Sequence, residues 1–541
     1  MAALSRAALL CAALVSTSCF SPSDGVEPPL SRIYYPVGLA LNVPDTRWRP
    51  LTRNPTHLYV ANSNFDLQFN GGTLQSYDLT RVRGRICNSD ADCSGKCGNA
   101  TSCVCASAAD PLAPPWCVSA APCGDFGTKR SAQLKNVPGT CGFIDPVNPQ
   151  DGGESLVVDS VEIGAFATDL IYRERPGAPA GEGRLFAPVR GDATLHWLDV
   201  NPDGVLECGQ NGNGQECDDF HRSGDDPEEE NTRGQRLPTE PYGIDATEDG
   251  ESILVTHQTE GKVSLFKHGL ANDASEFSGA PRLEFVQEGL PSRPIGIVAV
   301  PRPRAADANY EQAFLVTYRN ASQVDQLRLT NEFGTVSPPR SFLYPSGAAR
   351  IAVNSLGYDS RGIALDTSER VACEAGCGEN VTCLQGCATK QLGVYIANRT
   401  PETLLIGKTN TVQNQAASSD LPVFSDSMDL SVGPSRVVVG QIIDAQGKLA
   451  TRVFVVCFDS RLIFGYDPAS GRIDTRIFTG RGPHSLVIDA DREHTAPEYA
   501  LGYVGHFTDS YIGVIDLDQR RRSYGTIVMN LGRPQEPRAQ K

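Results

Sequence analysis

The chain repeats one phrase, with variation, from end to end. A Pro-x-Gly-Ile step leads into a short apolar strand, a polar or aromatic break and a second alternating strand, as in the copy from Pro241 to His268. Strands this short at this spacing are typical of sheets stacked around an axis, because one small sheet cannot cover both of its faces. We therefore predict an all-β fold, a seven-bladed β-propeller over residues 33–532. Six or eight blades remain alternatives, because the step is degraded in blades 2 and 6.

Cysteine-containing insertions interrupt the predicted blades. The largest, residues 87–141, follows the third strand of blade 1 and holds eight cysteines whose pairing stays open. Residues 207–236 form an acidic, solvated loop that Cys208–Cys217 closes. Residues 373–387 have the spacing C-x3-C, five residues, C-x3-C, which places each pair on one helical face. We predict a helical hairpin there, joined by Cys373–Cys387 and Cys377–Cys383, because even-numbered clusters in an exported chain indicate disulfides.

The N-terminus has the pattern of a targeting segment. Arg6 precedes a short apolar run, which predicts a signal peptide over residues 1–18. Cys19 resembles the lipidated cysteine of bacterial lipoproteins, and residues 19–32 would then be a tether. This resemblance implies an outer-membrane lipoprotein of the cell envelope; cleavage and free secretion to the periplasm or beyond is the alternative. Residues 533–541 are a C-terminal tail.

The charge excludes one class of partner. The chain has 48 basic and 64 acidic residues and a net charge of −16. Phosphate backbones are bound by basic stripes, so we exclude nucleic acid. No later segment has the 18 consecutive apolar residues of a membrane helix, which leaves the lipid anchor as the predicted contact with a membrane.

One column of the repeat predicts a ligand site. The last residue of the second strand in successive blades would form a ring at one mouth of the central channel, and His484 begins an innermost strand nearby. A small-molecule site there would use Asn62, His257, Tyr318, Asn398, His484 and His506, with Val189 and Phe458 at the same position in blades 2 and 6. Three converging imidazoles would suit zinc or copper. The alternative is that each residue makes a local hydrogen bond within its own blade.

A second pattern predicts a metal site. Asp199, Asn201 and Asp203 have the D-x-N-x-D-G spacing of a calcium loop, and calcium is therefore a candidate cofactor. The twelfth position is Gln210, where a bidentate acid is expected. The alternative is a hairpin that turns at NPDG and needs no metal.

The segments HLYVANSN, GTLQSYDL and YIGVIDLD resemble the repeat of the YVTN-type β-propeller family. This resemblance covers most of residues 33–532 outside the insertions and implies the fold, whereas the family includes both binding proteins and enzymes. No catalytic motif of the common types is present. We therefore predict an envelope binding or interaction scaffold with a protein or glycan partner at the cell surface. The alternative is an enzyme, a lactonase-like hydrolase or a quinone-dependent oxidoreductase, that works at the channel mouth.

Overall fold

Seven antiparallel sheets of four or five strands follow one another along the chain, which confirms the seven-bladed propeller. The structure is a computed structural model. It describes residues 26–84, 103–105, 117–119, 143–149, 154–209, 215–224, 234–268, 279–306, 310–332, 340–353, 355–410, 420–494, 498–521 and 523–535.

Each blade takes its strands in chain order from the innermost to the outermost position. The strands of blade 1 are Pro36–Leu41, His57–Asn62, Gly72–Asp78 and Val157–Ile163. Those of blade 2 are Ile171–Glu174, Gly183–Val189 and Thr194–Val200, with Leu206–Glu207 and Arg222–Ser223 sharing the outer position. Those of blade 3 are Pro241–Ala246, Ser252–His257, Lys262–Lys267 and Arg282–Gln287.

The remaining four blades follow the same pattern. The strands of blade 4 are Pro294–Ala299, Ala313–Tyr318, Gln323–Asn331 and Ser341–Arg350. Those of blade 5 are Tyr358–Asp366, Gly393–Thr400, Glu402–Thr409 and Pro422–Asp429. Those of blade 6 are Pro434–Ile443, Leu449–Cys457, Leu462–Asp467 and Arg472–Phe478. Those of blade 7 are Pro483–Ala490, Ala500–His506, Tyr511–Asp516 and Ile527–Leu531.

Few elements lie outside the blades. Two short strand pairs join Cys103–Cys105 to Cys117–Ser119 and Ala352–Val353 to Ser355–Leu356. In the described part of the chain, the helical segments are Leu79–Arg83, the 3-10 turn Asp219–His221, Ser368–Cys377 and Val381–Ala388. No helix within the described ranges has the length and hydrophobicity needed to cross a membrane.

The core is divided among the interfaces between blades. Seven clusters of buried apolar side chains are formed by the described residues, and each fills the space between two neighbouring blades. Blades 7 and 1 share such a cluster, in which Leu39 and Tyr77 pack with Leu501 and Ile512. Burial of apolar surface between sheets is the main stabilising term here, so each blade depends on its neighbours.

The ring closes where blade 1 meets blade 7. The four main strands of each of these two blades come from one end of the described chain. The innermost strand of blade 1 packs against the two inner strands of blade 7. In addition, Phe143–Ile144, which lies between the third and fourth strands of blade 1, pairs in parallel with Ile527–Leu531 of blade 7. The chain that follows the third strand of blade 1 therefore also fastens the last blade.

A β-bulge recurs where the innermost strands begin. The register shifts after the first residue of this strand in five blades, for example between Pro36 and Gly38, and after the third residue, Ser360, in blade 5. The residue before it has a positive φ, as in Tyr35 at 48° and Glu240 at 57°. Because each blade has four strand positions that alternate in direction, the chain leaves a blade at the end where it entered, and all innermost strands begin at the same end of the channel. We call this end the bulge mouth, and the end where they finish the loop mouth.

Candidate ligand-binding site in the central channel

The innermost strands enclose a channel along the propeller axis. Its cavity has a volume of about 530 Å³, and all seven blades contribute to its wall. This volume lies in the range of sites for small molecules. Near the bulge mouth the wall is formed largely by two consecutive positions of the repeat, the two residues after the Pro: Thr168, Asp169, Tyr242, Ile295, Arg361, Ser435, Arg436 and His484.

An ion pair spans this channel. Arg436 donates a hydrogen bond from Nη2 to Oδ1 of Asp169 at 2.7 Å. Asp169 belongs to blade 2 and Arg436 to blade 6, which are not neighbours in the ring. Both replace the glycine of the repeat; at Gly243, for example, a Cβ atom would lie 2.1 Å from the carbonyl oxygen of Ile295. Two blades thus depart from the small residue of the repeat and place opposite charges in the channel wall.

The pair does not use all the hydrogen-bonding capacity of Arg436. The Arg436 side chain is 28% exposed and that of Asp169 is 12% exposed. Within the described residues, the bond to Asp169 is the one hydrogen bond of this guanidinium, which has five N–H donors. Burial raises the pKa of Asp169 even though the charge of Arg436 opposes it. The other donors of Arg436 are available to an anion in the channel.

Further arginines surround the bulge mouth. Arg361 donates from Nε and Nη2 to the two carboxylate oxygens of Asp359, at 2.6 and 3.1 Å. The same carboxylate accepts from Nε of Arg319 at 3.2 Å. Arg399 contacts the carbonyl oxygen of Pro434 at 3.1 Å, and burial together with the charge of Arg361 lowers its pKa. Arg399 also pairs with Asp459 at 3.4 Å, so the two aspartates offset two of these three arginine charges.

His484 lies in the same wall in a defined tautomer. Its Nδ1 is 3.0 Å from the carbonyl oxygen of Val37 in blade 1. A carbonyl can only accept a hydrogen bond, so Nδ1 carries the proton and Nε2 offers a lone pair. Burial, with the charge of Arg436, lowers the pKa of His484 to about 4. His484 is therefore neutral near pH 7.

The loop mouth is covered by the segment between the first two strands of blade 1. Arg47 of this segment donates to Asp245 of blade 3 from Nη1 at 2.7 Å and from Nη2 at 3.0 Å. It also binds Asp45 from Nε at 2.8 Å. Arg173 of blade 2 adds a further bond to Asp245, at 2.7 Å. Burial opposes the ionised carboxylate, but the charges of Arg47 and Arg173 outweigh it and lower the pKa of Asp245.

Five of the six residues predicted to form the ring are directed into their own blades. Asn62 donates to Thr73 and Gln75, both at 3.0 Å. Tyr318 donates to Asp325 at 2.7 Å. Both side chains are fully buried, and neither lines the cavity. The second strand packs between the first and the third, so its last side chain finds partners on those strands instead of reaching the axis.

The two other histidines and Asn398 behave in the same way. His257 contacts the carbonyl oxygen of Thr239 at 3.1 Å and the hydroxyl of Ser264 at 2.7 Å. His506 stacks on Tyr511 with ring centroids 4.0 Å apart, and Asn398 donates to the carbonyl oxygen of Pro401 at 2.8 Å. The local alternative therefore describes these residues, and of the predicted ring His484 alone lines the channel. In blade 6 the register places Cys457, not Phe458, at this position.

The predicted zinc or copper site is not assembled. Among the described residues, one group of His, Cys, Asp or Glu is compact enough for a metal ion, and it consists of Cys373, Cys377 and Cys387. All three are joined in disulfides. The three histidines therefore form no metal site.

The predicted calcium loop is a hairpin. Asp199 accepts hydrogen bonds from Nε and Nη2 of Arg184, both at 2.8 Å, so its carboxylate is already paired. Oδ1 of Asn201 accepts from the backbone N–H groups of Asp203 and Val205, each at 3.0 Å. These contacts close the turn and favour the hairpin alternative, because two of the three expected calcium ligands already have partners.

The predicted disulfides Cys208–Cys217, Cys373–Cys387 and Cys377–Cys383 are confirmed. The signal peptide and Cys19 lie outside the described residues, as does most of the cysteine-rich insertion. These parts of the interpretation stay predictions.

The sequence did contain a signal for Asp169 and Arg436. Aligned on the repeat, the position after Pro-x is Gly in blades 1, 3, 4 and 5 and Ser in blade 7. It is charged only in the two blades where the step is degraded. A weak copy of the repeat can therefore also indicate a site: a charged residue that replaces a small residue facing inward marks Asp169 and Arg436.

No family model matches the sequence, so the resemblance to the YVTN family stays a prediction. No curated protein matches it either. Among solved structures, a periplasmic gluconolactonase from Pseudomonas aeruginosa is similar with a TM-score of 0.42 and 13% identity, over 84% of this chain and 87% of that one. A putative 6-phosphogluconolactonase from Bacteroides fragilis is similar with a TM-score of 0.41 and 12% identity, over 85% and 87%. A protein from Lactobacillus plantarum gives 0.41 and 10%, over 84% and 88%. Scores this low carry no argument about chemistry.

Proposed function

We propose that this protein is a binding protein of the cell envelope that takes a small anionic molecule into its central channel near the bulge mouth. The observation that carries the proposal is the Asp169–Arg436 pair. It joins opposite blades inside the cavity and leaves donors of Arg436 uncommitted. Arg319, Arg361 and Arg399 stand beside it against the two carboxylates of Asp359 and Asp459, which leaves one net positive charge and favours an anion over a neutral ligand of the same shape.

Binding is favoured over catalysis by the state of the histidines. General acid–base catalysis is most efficient when the pKa of the group lies near the working pH. Burial lowers the pKa of His257 and His484 to about 4 and that of His506 to about 3. Only His484 also lines the channel. The hydrolase and oxidoreductase alternatives therefore rank second.

Location in the envelope is the second part of the proposal. Three disulfides among the described residues suit an oxidising compartment. The predicted signal peptide and Cys19 would supply export and a lipid anchor. A protein or glycan partner at the cell surface remains a further proposal, because the channel itself is suited to a small molecule.

Calorimetric titration of the full chain with small carboxylates and their matching amides tests the proposal. We expect carboxylates to bind and amides to bind far more weakly, because Arg436 is a charged donor. R436Q should weaken carboxylate binding roughly 30-fold, the scale of one charged hydrogen bond. R520Q is the matched control, since Arg520 pairs with Asp518 away from the cavity. Equal binding of acids and amides, or equal binding by R436Q and the parent, would refute the proposal.

A further inference from the structure

Aromatic side chains from four blades meet beside the bulge mouth. We call Tyr35, Phe65, Phe166, Phe458 and Phe507 the aromatic arc. The ring centroid of Phe65 is 5.2 Å from that of Phe507, 6.0 Å from Phe166 and 6.2 Å from Tyr35. Tyr35 and Phe507 are also 5.1 Å apart. Phe458 joins them through Phe507, at 6.2 Å, so the arc is one connected set of ring contacts.

The arc reaches the channel through His484. The centroid of His484 is 6.2 Å from Phe507 and 6.4 Å from Phe458. The same imidazole lines the cavity and lies close enough to Arg436 for that charge to act on it. An apolar surface and an anion-binding group are thus contiguous, with a neutral ring between them.

Part of this aromatic surface is open to solvent. The Phe65 side chain is 52% exposed although it already contacts three other rings. An exposed phenyl ring held in place by its neighbours loses little conformational freedom when a ligand covers it. On the other side of the mouth, blades 3 to 5 place Glu240, Arg319, Asp359 and Arg399. Charges also stand beside the arc, where Asp66 accepts a hydrogen bond from Tyr35 and Arg481 pairs with Asp509.

We infer that the ligand is an aromatic carboxylate, whose carboxylate meets Arg436 in the channel and whose ring packs against the aromatic arc through Phe65 and Phe507. This inference rests on the proposed function and narrows it to a class of molecule. A carboxylate alone would leave the arc uncovered. A polyhydroxylated acid would place hydroxyl groups against phenyl rings that offer them no hydrogen bond.

Titration of the full chain with 3-phenylpropionate, propionate, 3-phenylpropanamide and gluconate tests the class. Offset or edge-on stacking and burial of one ring predict that 3-phenylpropionate binds about tenfold more tightly than propionate. F65A should remove most of this advantage and leave propionate binding unchanged. F478A is the matched control, because Phe478 is 68% exposed on the outermost strand of blade 6.

The outcomes separate this inference from the proposed function. Gluconate or propionate binding as tightly as 3-phenylpropionate, with the dependence on Arg436 intact, overturns the aromatic inference and leaves the anion site standing. An advantage of the phenyl ring that survives F65A also overturns the inference. Loss of 3-phenylpropionate binding in R436Q supports the anion site, and loss of the phenyl advantage in F65A supports the aromatic inference. If no carboxylate binds in a manner that depends on Arg436, both are wrong.

Discussion

The two mouths of the channel use similar charges in different ways. At the loop mouth, Arg47 is held by Asp45 and Asp245, and Asp245 also accepts from Arg173 and from the backbone N–H of Ala299. At the bulge mouth, Arg436 has one partner and a side chain that is 28% exposed. A charge with all its partners holds the fold together, whereas a charge with donors to spare beside a cavity is available for a ligand.

The difference has a topological origin. The loop between the first two strands of blade 1 is long enough to cross the end of the channel and to bring Arg47 to blade 3. At the bulge mouth most connections between the described strands are short, and residues of positive φ, such as Tyr35 and Glu240, turn the chain into the innermost strands. Within the described residues, none of these turns bonds to Arg436 as Arg47 bonds to Asp245.

Removal of a fully paired charge at the loop mouth should have the largest effect. Asp245→Ala leaves Arg47 and Arg173 without their shared partner. The Asp245 side chain is 5% exposed, so water cannot easily replace it. We expect the free energy of unfolding to fall by about 3–5 kcal/mol, measured by denaturant titration at pH 7. Glu379→Ala removes an exposed partner of Arg304 and should change little. If the two variants lose similar stability, the loop mouth is not locked by this network.

The half-paired site should be less costly to disrupt. Arg436→Gln should lower stability by about 2 kcal/mol, because Arg436 is partly solvated and Asp169 can take up a proton. The pKa of Asp169 is already raised by burial and should rise further without the arginine. A carboxyl with a raised folded-state pKa binds a proton that the unfolded chain does not, so this variant should regain stability between pH 8 and pH 5.

Thermal midpoints at the two pH values measure this recovery. The double variant Asp169→Asn with Arg436→Gln has no carboxyl to titrate and serves as the control. If it recovers as much as the single variant on acidification, another group is responsible.

A buried acid near the loop mouth should have the opposite effect, because removal of its charge should raise the stability of the protein. The pKa of Asp489 is raised to about 6 by burial, against the charge of Arg83. Ionised Asp489 therefore costs stability above pH 6, and this cost decreases as the pH falls from the folded-state pKa towards the unfolded-state pKa of about 4. Asp489→Asn should gain about 2 kcal/mol more at pH 8 than at pH 4, measured by urea unfolding. Tyr503 donates to Asp489 at 3.1 Å and can donate in the same way to the side-chain oxygen of asparagine. Tyr503→Phe removes this hydrogen bond without changing the charge and is therefore the companion control. A loss of stability at pH 8 would show that Asp489 is a needed partner of Arg83.

The smallest effect concerns His484. Its lowered pKa of about 4 means that its imidazole should remain neutral from pH 8 to pH 5. Because an unfolded histidine takes up a proton near pH 6.5, the stability that neutral His484 contributes is lost as the pH falls from about 6.5 to 4. Nitrogen chemical shifts of labelled histidine, assigned with His484→Gln, measure the state of the ring. Titration near pH 6.5 would mean that the ring is solvated and that water reaches the channel wall beside Arg436.

The sequence predicted the elements of this fold well because its evidence is local. Alternating strands, the Pro-x-Gly-Ile step and the paired spacing of Cys373, Cys377, Cys383 and Cys387 all depend on residues close together in the chain. These features lead to the seven blades and to the disulfides that the structure contains. The ring of channel residues was harder to predict, because it requires knowing which face of each strand looks inward.

The chain by itself determined that small sheets must stack around an axis, since no blade has enough apolar surface to be stable alone. Only the tertiary structure decided which side chains meet at that axis. His257 and His506 end second strands and turn into their blades, whereas Asp169 and Arg436 lie at the start of innermost strands and, 267 residues apart, come within 2.7 Å. Such a meeting depends on the closure of the whole ring, which no short segment records.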